Sequence, residues 1–151
     1  MTTKQILLVE DNPDDVELTI RAFRSSAIPH TLMVATDGAE ALVALFGPPN
    51  GPPPAELPDL VLLDLKLPIF DGFDVLRRIR ANPRTRHVPV VILTSSTQPE
   101  DLETGYALGA NSYLQKPVSF GDFLTMARQV ASYWLTLNKP AHSPARARMF
   151  G

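Results

Sequence analysis

The chain has 151 residues, 44% hydrophobic and 20% charged, with a formal net charge of −2. That is enough for one globular domain with a real core, and its charge balance gives no electrostatic case for nucleic acid or a bulk membrane surface. The absence of cysteine excludes disulfides and thiolate metal sites. With no apolar run near the roughly 18 residues of a membrane span and no signal-peptide stretch after Met1-Thr2-Thr3-Lys4-Gln5, a cytoplasmic protein is expected.

Strand-like apolar runs fall at about 5–9, 31–35, 60–63, 88–93 and 112–115, and amphipathic helical stretches at 13–26, 38–46, 73–81, 98–107 and 119–137. Five β-then-α units predict a doubly wound α/β domain with a mostly parallel sheet and right-handed crossovers. Asn12-Pro13 reads as a helix cap followed by proline at the first helical position. Residues 47–58 hold six of the fifteen prolines, which marks a surface loop preceding a strand, at the far end of the sheet from the strands' carboxyl ends. Thr97 precedes Glu100 by three residues and is a second cap candidate, and Gly109 suits a left-handed helix stop.

In the last helix, Phe120, Phe123, Leu124, Ala127, Ala131 and Trp134 make one apolar stripe, the expected core face. Met126, Val130, Tyr133 and Leu137 make a second, and this extra apolar width suggests an interface, read as a two-fold homodimer. Residues 138–151 carry Lys139, Arg146 and Arg148 without an acid and read as a flexible basic tail to a domain spanning 1–137.

Four strand-like runs end in polar residues of different kinds: Glu10-Asp11, Asp64, Thr94 and Lys116. In an open parallel sheet the carboxyl ends of the strands share one crevice, so three carboxylates, a hydroxyl and an ammonium would converge. Mg²⁺ (or Mn²⁺) takes oxygen ligands of this kind, usually one or two carboxylates with waters and a phosphate oxygen. A metal would relieve the repulsion among the acids and keep Asp64 ionised. An ionised carboxylate can attack phosphorus to form an acyl phosphate, and the ammonium of Lys116 and the hydroxyl of Thr94 suit the charge that spreads over the transferred group's oxygens. Each element alone has an ordinary structural explanation, such as a cap, a turn residue or a solvated lysine. The conjunction is the signal.

The chain closely resembles the receiver domain of two-component response regulators. The matching pieces are Leu8-Val9-Glu10-Asp11-Asn12, Asp37-Gly38-Ala39-Glu40-Ala41-Leu42, Leu62-Leu63-Asp64-Leu65-Lys66-Leu67-Pro68, Asp71-Gly72-Phe73, Val90-Val91-Ile92-Leu93-Thr94-Ser95, and Gly109-Ala110-Asn111-Ser112-Tyr113-Leu114-Gln115-Lys116-Pro117. The resemblance implies the flavodoxin-like (βα)5 receiver fold with strand order 2-1-3-4-5 and a cis peptide before Pro117. It also implies Asp64 as phosphoacceptor, metal held by Glu10, Asp11, Asp64 and the Lys66 backbone carbonyl, Thr94 and Tyr113 as the switch pair, and Lys116 as the phosphate partner. On phosphorylation Thr94 would move toward the new oxygens and Tyr113 rotate inward, reshaping the face formed by the fourth helix, fifth strand and fifth helix, the face through which the dimer is expected.

Lys66 and Ser96 depart from the commonest family pattern, at positions where receivers often control water access. Lys66 would then partly cover the site. The Tyr133-Trp134-Leu135 ending, Asn111-Ser112-Tyr113 and the proline-rich insertion resemble the small regulators paired with bacterial phytochrome histidine kinases, which implies a phosphohistidine donor on such a kinase. No helix-turn-helix or basic recognition helix follows residue 137, so a stand-alone receiver is expected, signalling by protein–protein contact or onward phosphotransfer and catalysing nothing beyond its own phosphorylation and dephosphorylation. A haloacid-dehalogenase-like phosphatase would need an Asp where Lys66 stands. A nucleotide- or flavin-binding domain would want a glycine-rich first β–α turn, but that turn is Glu10-Asp11-Asn12-Pro13-Asp14. A degenerate receiver serving only as a scaffold is a third alternative, which uptake of phosphate from acetyl phosphate would separate.

Overall fold

The computed structural model describes residues 3–141. Along the chain run β1 (Lys4–Val9), α1 (Pro13–Arg24), β2 (His30–Ala35), α2 (Gly38–Phe46), β3 (Leu60–Leu63), α3 (Gly72–Ala81), β4 (Val90–Thr94), α4 (Pro99–Ala107), β5 (Ser112–Gln115) and α5 (Phe120–Ser132), followed by a π-helical turn at Tyr133–Leu137. All strand pairs are parallel, and the order is β2-β1-β3-β4-β5, as the resemblance implied. The carboxyl ends of β1, β3, β4 and β5 therefore lie side by side.

β3 is buried along its whole length and reads Leu60-Val61-Leu62-Leu63, the continuous apolar run of a parallel strand covered on both faces. Alternation sorts these residues to opposite sides. Leu60 and Leu62 join Ile6, Leu8, Val91 and Leu93 under Phe23 of α1 and Phe123, Ala127 and Ala131 of α5. Val61 and Leu63 join Leu7, Val9, Val90 and Ile92 under Ala41 and Leu45 of α2 and Val75, Leu76 and Ile79 of α3. Fully burying each such side chain contributes about 1.5–3 kcal/mol, so the three inner strands form a rigid platform.

Several boundaries differ from expectation for local reasons. Helix α1 stops at Arg24 because the Ser25 and Ser26 hydroxyls donate to the carbonyls of Ala22 and Phe23, both at 2.6 Å, in competition with the helix ladder. β4 begins at Val90, since Pro89 has no N–H to pair. The cap of α4 is Gln98, without a side-chain bond, rather than Thr97. The Ser96 hydroxyl accepts from the N–H of Gln98 itself at 3.2 Å, which fixes the cap residue and caps none of the helix's first N–H groups. Gly109 has the expected left-handed backbone, with φ of 102°. No cis peptide occurs among the described residues, so Lys116–Pro117 is trans, contrary to what the resemblance implied. Trans is the lower-energy state of a free X–Pro bond by about 0.5–1 kcal/mol.

The last helix also corrects the two-stripe picture. Val130 is buried and Met126 half-buried, both packed in the core cluster, so neither widens an outer face. Tyr133 and Leu137 are exposed. The π-helical turn changes the phase of the spiral, carrying Leu135 into the core and Trp134 half into it, and leaving Tyr133, Thr136 and Leu137 outside. Phe120, assigned to the core face, is 47% exposed because it begins the helix beyond the sheet's end. The proline-rich segment is tied to the amino ends of the strands: the Gln5 amide donates to Glu56 at 2.6 Å, and the Asp59 N–H to the Gln5 carbonyl at 2.7 Å. Arg146 and Arg148 of the tail lie outside the described residues.

Candidate functional site

At the carboxyl edge of the sheet, backbone ladders fix two of the acids. The Glu10 N–H extends the β1–β2 pairing to the Ala35 carbonyl at 2.9 Å, and the Asp64 N–H donates to the Val9 carbonyl at 3.0 Å. Residues 10 and 64 are thereby held across adjacent strand ends, with Asp11 next to Glu10. One oxygen from each of Glu10, Asp11 and Asp64 lies within 4.8 Å of the others. Glu10 and Asp64 are buried and Asp11 is exposed, so the group opens to solvent on one side. Hard carboxylate oxygens so arranged fit an octahedral divalent cation such as Mg²⁺ or Mn²⁺.

Opposite them stands Lys116, placed by its own N–H, which donates to the Thr94 carbonyl at 2.8 Å. Its ammonium reaches Glu10 Oε1 at 2.5 Å, Asp15 Oδ2 at 2.9 Å and Asp64 Oδ2 at 3.2 Å. Burial alone would lower its pKa, but the hydrogen bonds to Glu10 and Asp15 and the charges of Asp64 and Glu10 outweigh that and hold it above the ordinary lysine value. Burial pushes the Glu10 carboxyl up to about 7, the Asp64 charge adding to the rise while Lys116 and the Asn12 N–H oppose it. A site that raises a carboxyl in this way is relieved by a cation.

Asp64 is fixed at both oxygens, Oδ1 accepting from the Leu65 N–H at 2.7 Å and Oδ2 from Lys116. The loop behind it is held by Gly72, whose N–H bonds the Leu65 carbonyl at 2.8 Å. A Cβ there would strike the Asp64 carbonyl and lie 2.7 Å from Leu65 Cα, so only glycine fits. Lys66 is exposed, at the rim of a cavity of about 350 Å³ lined also by Asp11, Pro68, Asp71 and Asp101.

Thr94 is buried at the end of β4, and its hydroxyl accepts from the Ser96 N–H at 3.3 Å. Among the described residues it makes no side-chain bond to Asp64 or Lys116. Tyr113 packs on the core cluster beneath α4, and its hydroxyl is already buried, without a hydrogen-bond partner. The expected inward rotation on phosphorylation therefore starts from a ring that is largely inside. Space for it comes from Gly105, where a Cβ would sit 3.4 Å from Tyr113 Cδ2 and 2.8 Å from Ile92 Cδ1.

Two features escaped the sequence reading. Asp15, on the first turn of α1, is the third carboxylate on Lys116. The only signal for it was an acid one turn beyond Asp11, which equally serves the helix dipole. Ser96, noted as a departure from the family pattern, is buried and donates to Asp101 at 2.5 Å. It fastens the start of α4 to the end of β4.

The family model of the response regulator receiver domain matches residues 6–128. The chain belongs to the response regulator receiver family. This receiver is 42% identical over 134 residues to the probable methanogenesis regulatory protein FilR2 of Methanothrix harundinacea, covering 89% of this chain and 85% of that protein. It is 39% identical over 141 residues to the response regulator Rcp1 of a Synechocystis species, covering 91% and 94%. The Mn²⁺-bound structure of Rcp1 superposes with a TM-score of 0.81 at 37% identity, over 92% of this chain and 99% of that one. The phosphorylated cyanobacterial phytochrome response regulator RcpA gives a TM-score of 0.85 at 33% identity, over 93% and 100%. The receiver thus resembles regulators of phytochrome systems in sequence and fold alike.

Proposed function

We propose that the chain is a stand-alone response regulator that accepts a phosphoryl group on Asp64 from the phosphohistidine of a sensor histidine kinase, most naturally one of the phytochrome type. The observation that carries this is the pairing of the Glu10, Asp11 and Asp64 group with the Lys116 ammonium 3.2 Å from Asp64. An oxygen of the ionised Asp64 attacks phosphorus, the phosphorus–nitrogen bond breaks, and the electron pair leaves with the imidazole, which takes up a proton. Glu10, Asp11, Asp64 and the Lys66 carbonyl would hold Mg²⁺ or Mn²⁺, which supplies positive charge to the oxygens of the transferred group. Lys116 exchanges its contact with Asp64 for a phosphoryl oxygen, and Thr94 donates its hydroxyl to another.

The resulting charge draws Thr94 away from Ser96, and Tyr113 and the start of α4 report the change to the surface formed by α4, β5 and α5. Leu102 and Tyr106 on α4, Val118 and Phe120 before and at the start of α5, and Tyr133 and Leu137 after it are exposed there. That surface suits a protein partner or a second copy of the chain. The regulator works in the cytoplasm by protein contact and catalyses only its own phosphorylation and dephosphorylation. The phytochrome link is supported by full-length coverage of RcpA and nearly full-length coverage of Rcp1. No helix among the described residues is long and apolar enough to cross a membrane.

The test is phosphotransfer from an autophosphorylated phytochrome-type histidine kinase in the presence of Mg²⁺, read by intact mass. A gain of one phosphoryl group that Asp64→Asn abolishes is expected. No gain from this kinase, with uptake from acetyl phosphate intact, would leave a receiver with a different donor. Sedimentation with and without phosphorylation tests the dimer, which a monomer at micromolar concentration in both states excludes. Lys66→Ala tests whether that exposed side chain governs phosphate lifetime.

A further inference from the structure

The Lys116 ammonium has three N–H donors, and all three point at carboxylates: Glu10 at 2.5 Å, Asp15 at 2.9 Å and Asp64 at 3.2 Å. The longest contact is the one to the nucleophile. Asp15 stands outside the three-carboxylate group that fits a metal, so its carboxylate has no part in that set. Its backbone is pinned: the N–H donates to the Asn12 side chain at 3.3 Å, and the carbonyl accepts from the hydroxyl of buried Thr19 at 2.7 Å. The Asn12 cap and the start of α1 thus aim this side chain at Lys116, whose side chain is 10% exposed against 30% for Asp15.

We propose that Asp15 is a positioning residue: it holds the Lys116 ammonium partly off Asp64, leaving Asp64 open to the divalent cation. The inference rests on the metal reading above. Without the Asp15 charge, the ammonium settles onto its two remaining partners, Glu10 and Asp64, both of which belong to the metal group. Cation and ammonium then compete for the same oxygens, and the metal binds more weakly. The ordinary role of an acid in a helix's first turn, complementing the dipole, is shared by Asp14. Asp14 is exposed and is not among the carboxylates paired with Lys116, so it is the natural control.

The experiment is calorimetric titration of the folded protein with Mg²⁺ alone, in the wild type, Asp15→Asn, Asp14→Asn, Lys116→Met and the Asp15→Asn/Lys116→Met double variant, with Asp15→Ala as a second form of the lesion. We expect Asp15→Asn to weaken Mg²⁺ binding by roughly three- to tenfold, the scale of one nearby charge contact in a partly buried site. Asp14→Asn should change it by less than about twofold, and in the Lys116→Met background the Asp15 effect should shrink to that of Asp14→Asn. The Lys116 side-chain ammonium resonance should shift in Asp15→Asn and stay in place in Asp14→Asn. Unchanged affinity in both Asp15 variants, equal loss in Asp14→Asn, or an Asp15 effect undiminished without Lys116 each overturns the proposal while leaving the metal reading intact. A wild type that takes up no Mg²⁺ overturns both.

Discussion

Two partly buried cations stand at opposite ends of the sheet, held by different kinds of oxygen. At the carboxyl ends Lys116 is surrounded by three carboxylates. At the amino ends Arg80 donates to the carbonyls of Gly109 at 2.8 Å, Arg86 at 3.0 Å and Val88 at 2.7 Å, and to the Asn111 side chain at 2.8 Å. It has no carboxylate partner among the described residues, and burial lowers its pKa. Neutral acceptors, three of them backbone carbonyls, make Arg80 a clamp across the entries to β4 and β5. Charged acceptors make Lys116 exchangeable, because a phosphoryl group or a metal can take over what it now shares. One end of the molecule stores rigidity, and the other stores unbalanced charge.

The sharpest way to break this comparison is to remove each cation. Arg80→Ala should cost about 3 kcal/mol of stability in urea unfolding, from four charge-assisted hydrogen bonds lost together, while the folded protein still takes up phosphate. Lys116→Met should cost about 2 kcal/mol in EDTA, by leaving Glu10 and Asp64 facing each other. Most of that loss should return with saturating Mg²⁺, since a ligand that binds only the folded state stabilises it. If Mg²⁺ rescues Arg80→Ala as well as it rescues Lys116→Met, the two ends do not differ in the way described.

A smaller effect follows from Glu10. Its carboxyl is raised in the folded state to about 7, from an ordinary value of 4.5. The metal-free folded protein therefore binds a proton that the unfolded chain releases, and this group's contribution to stability increases as pH falls from 8 through 7 toward 4.5. The proton also competes with the cation, so Mg²⁺ affinity should drop by up to about tenfold per pH unit below 7. Mg²⁺ titrations at several pH values, with Glu10→Gln losing most of the dependence, would check both signs.

The smallest effect concerns strain in the loop that follows Asp64. Ile69 has φ of 71° and is 73% exposed, a left-handed backbone that a β-branched residue rarely adopts. The loop is held from both sides, by the Gly38 N–H on the Pro68 carbonyl at 3.3 Å and by the Gly72 N–H on the Leu65 carbonyl, so Ile69 has no freedom to relax. Ile69→Gly should stabilise the metal-free protein by about 1 kcal/mol in thermal unfolding. No gain would mean the loop adapts.

The order of the elements and the residues on the sheet's active edge were legible because each rests on local pattern. The apolar runs of β3 and β4 are unbroken, Asn12-Pro13 starts α1 as a cap should, and four of the five strands lead into a residue whose chemistry is plain from its type. What escaped depends on contacts across the fold. Asp15 meets Lys116 across 101 positions of sequence, and nothing near either residue encodes that pairing. Val130 looked like part of an outer stripe because helical periodicity alone does not reveal how much of α5 the sheet and α1 cover. The π-helical turn that turns Leu135 inward has no signature in residue spacing. The trans bond before Pro117 contradicts an expectation that came from resemblance and not from the residues.

The central claim is that the carboxylate of Asp64, fixed by Leu65 and Lys116, is the atom group that receives phosphate. Its most direct test is chemical mapping: incubation with acetyl phosphate and Mg²⁺, reduction with borohydride, and sequencing of the peptides by mass. Borohydride converts an aspartyl phosphate to homoserine. The account predicts homoserine at position 64 alone, absent without Mg²⁺; conversion at Asp11, Asp15 or another carboxylate, or none anywhere, would contradict it.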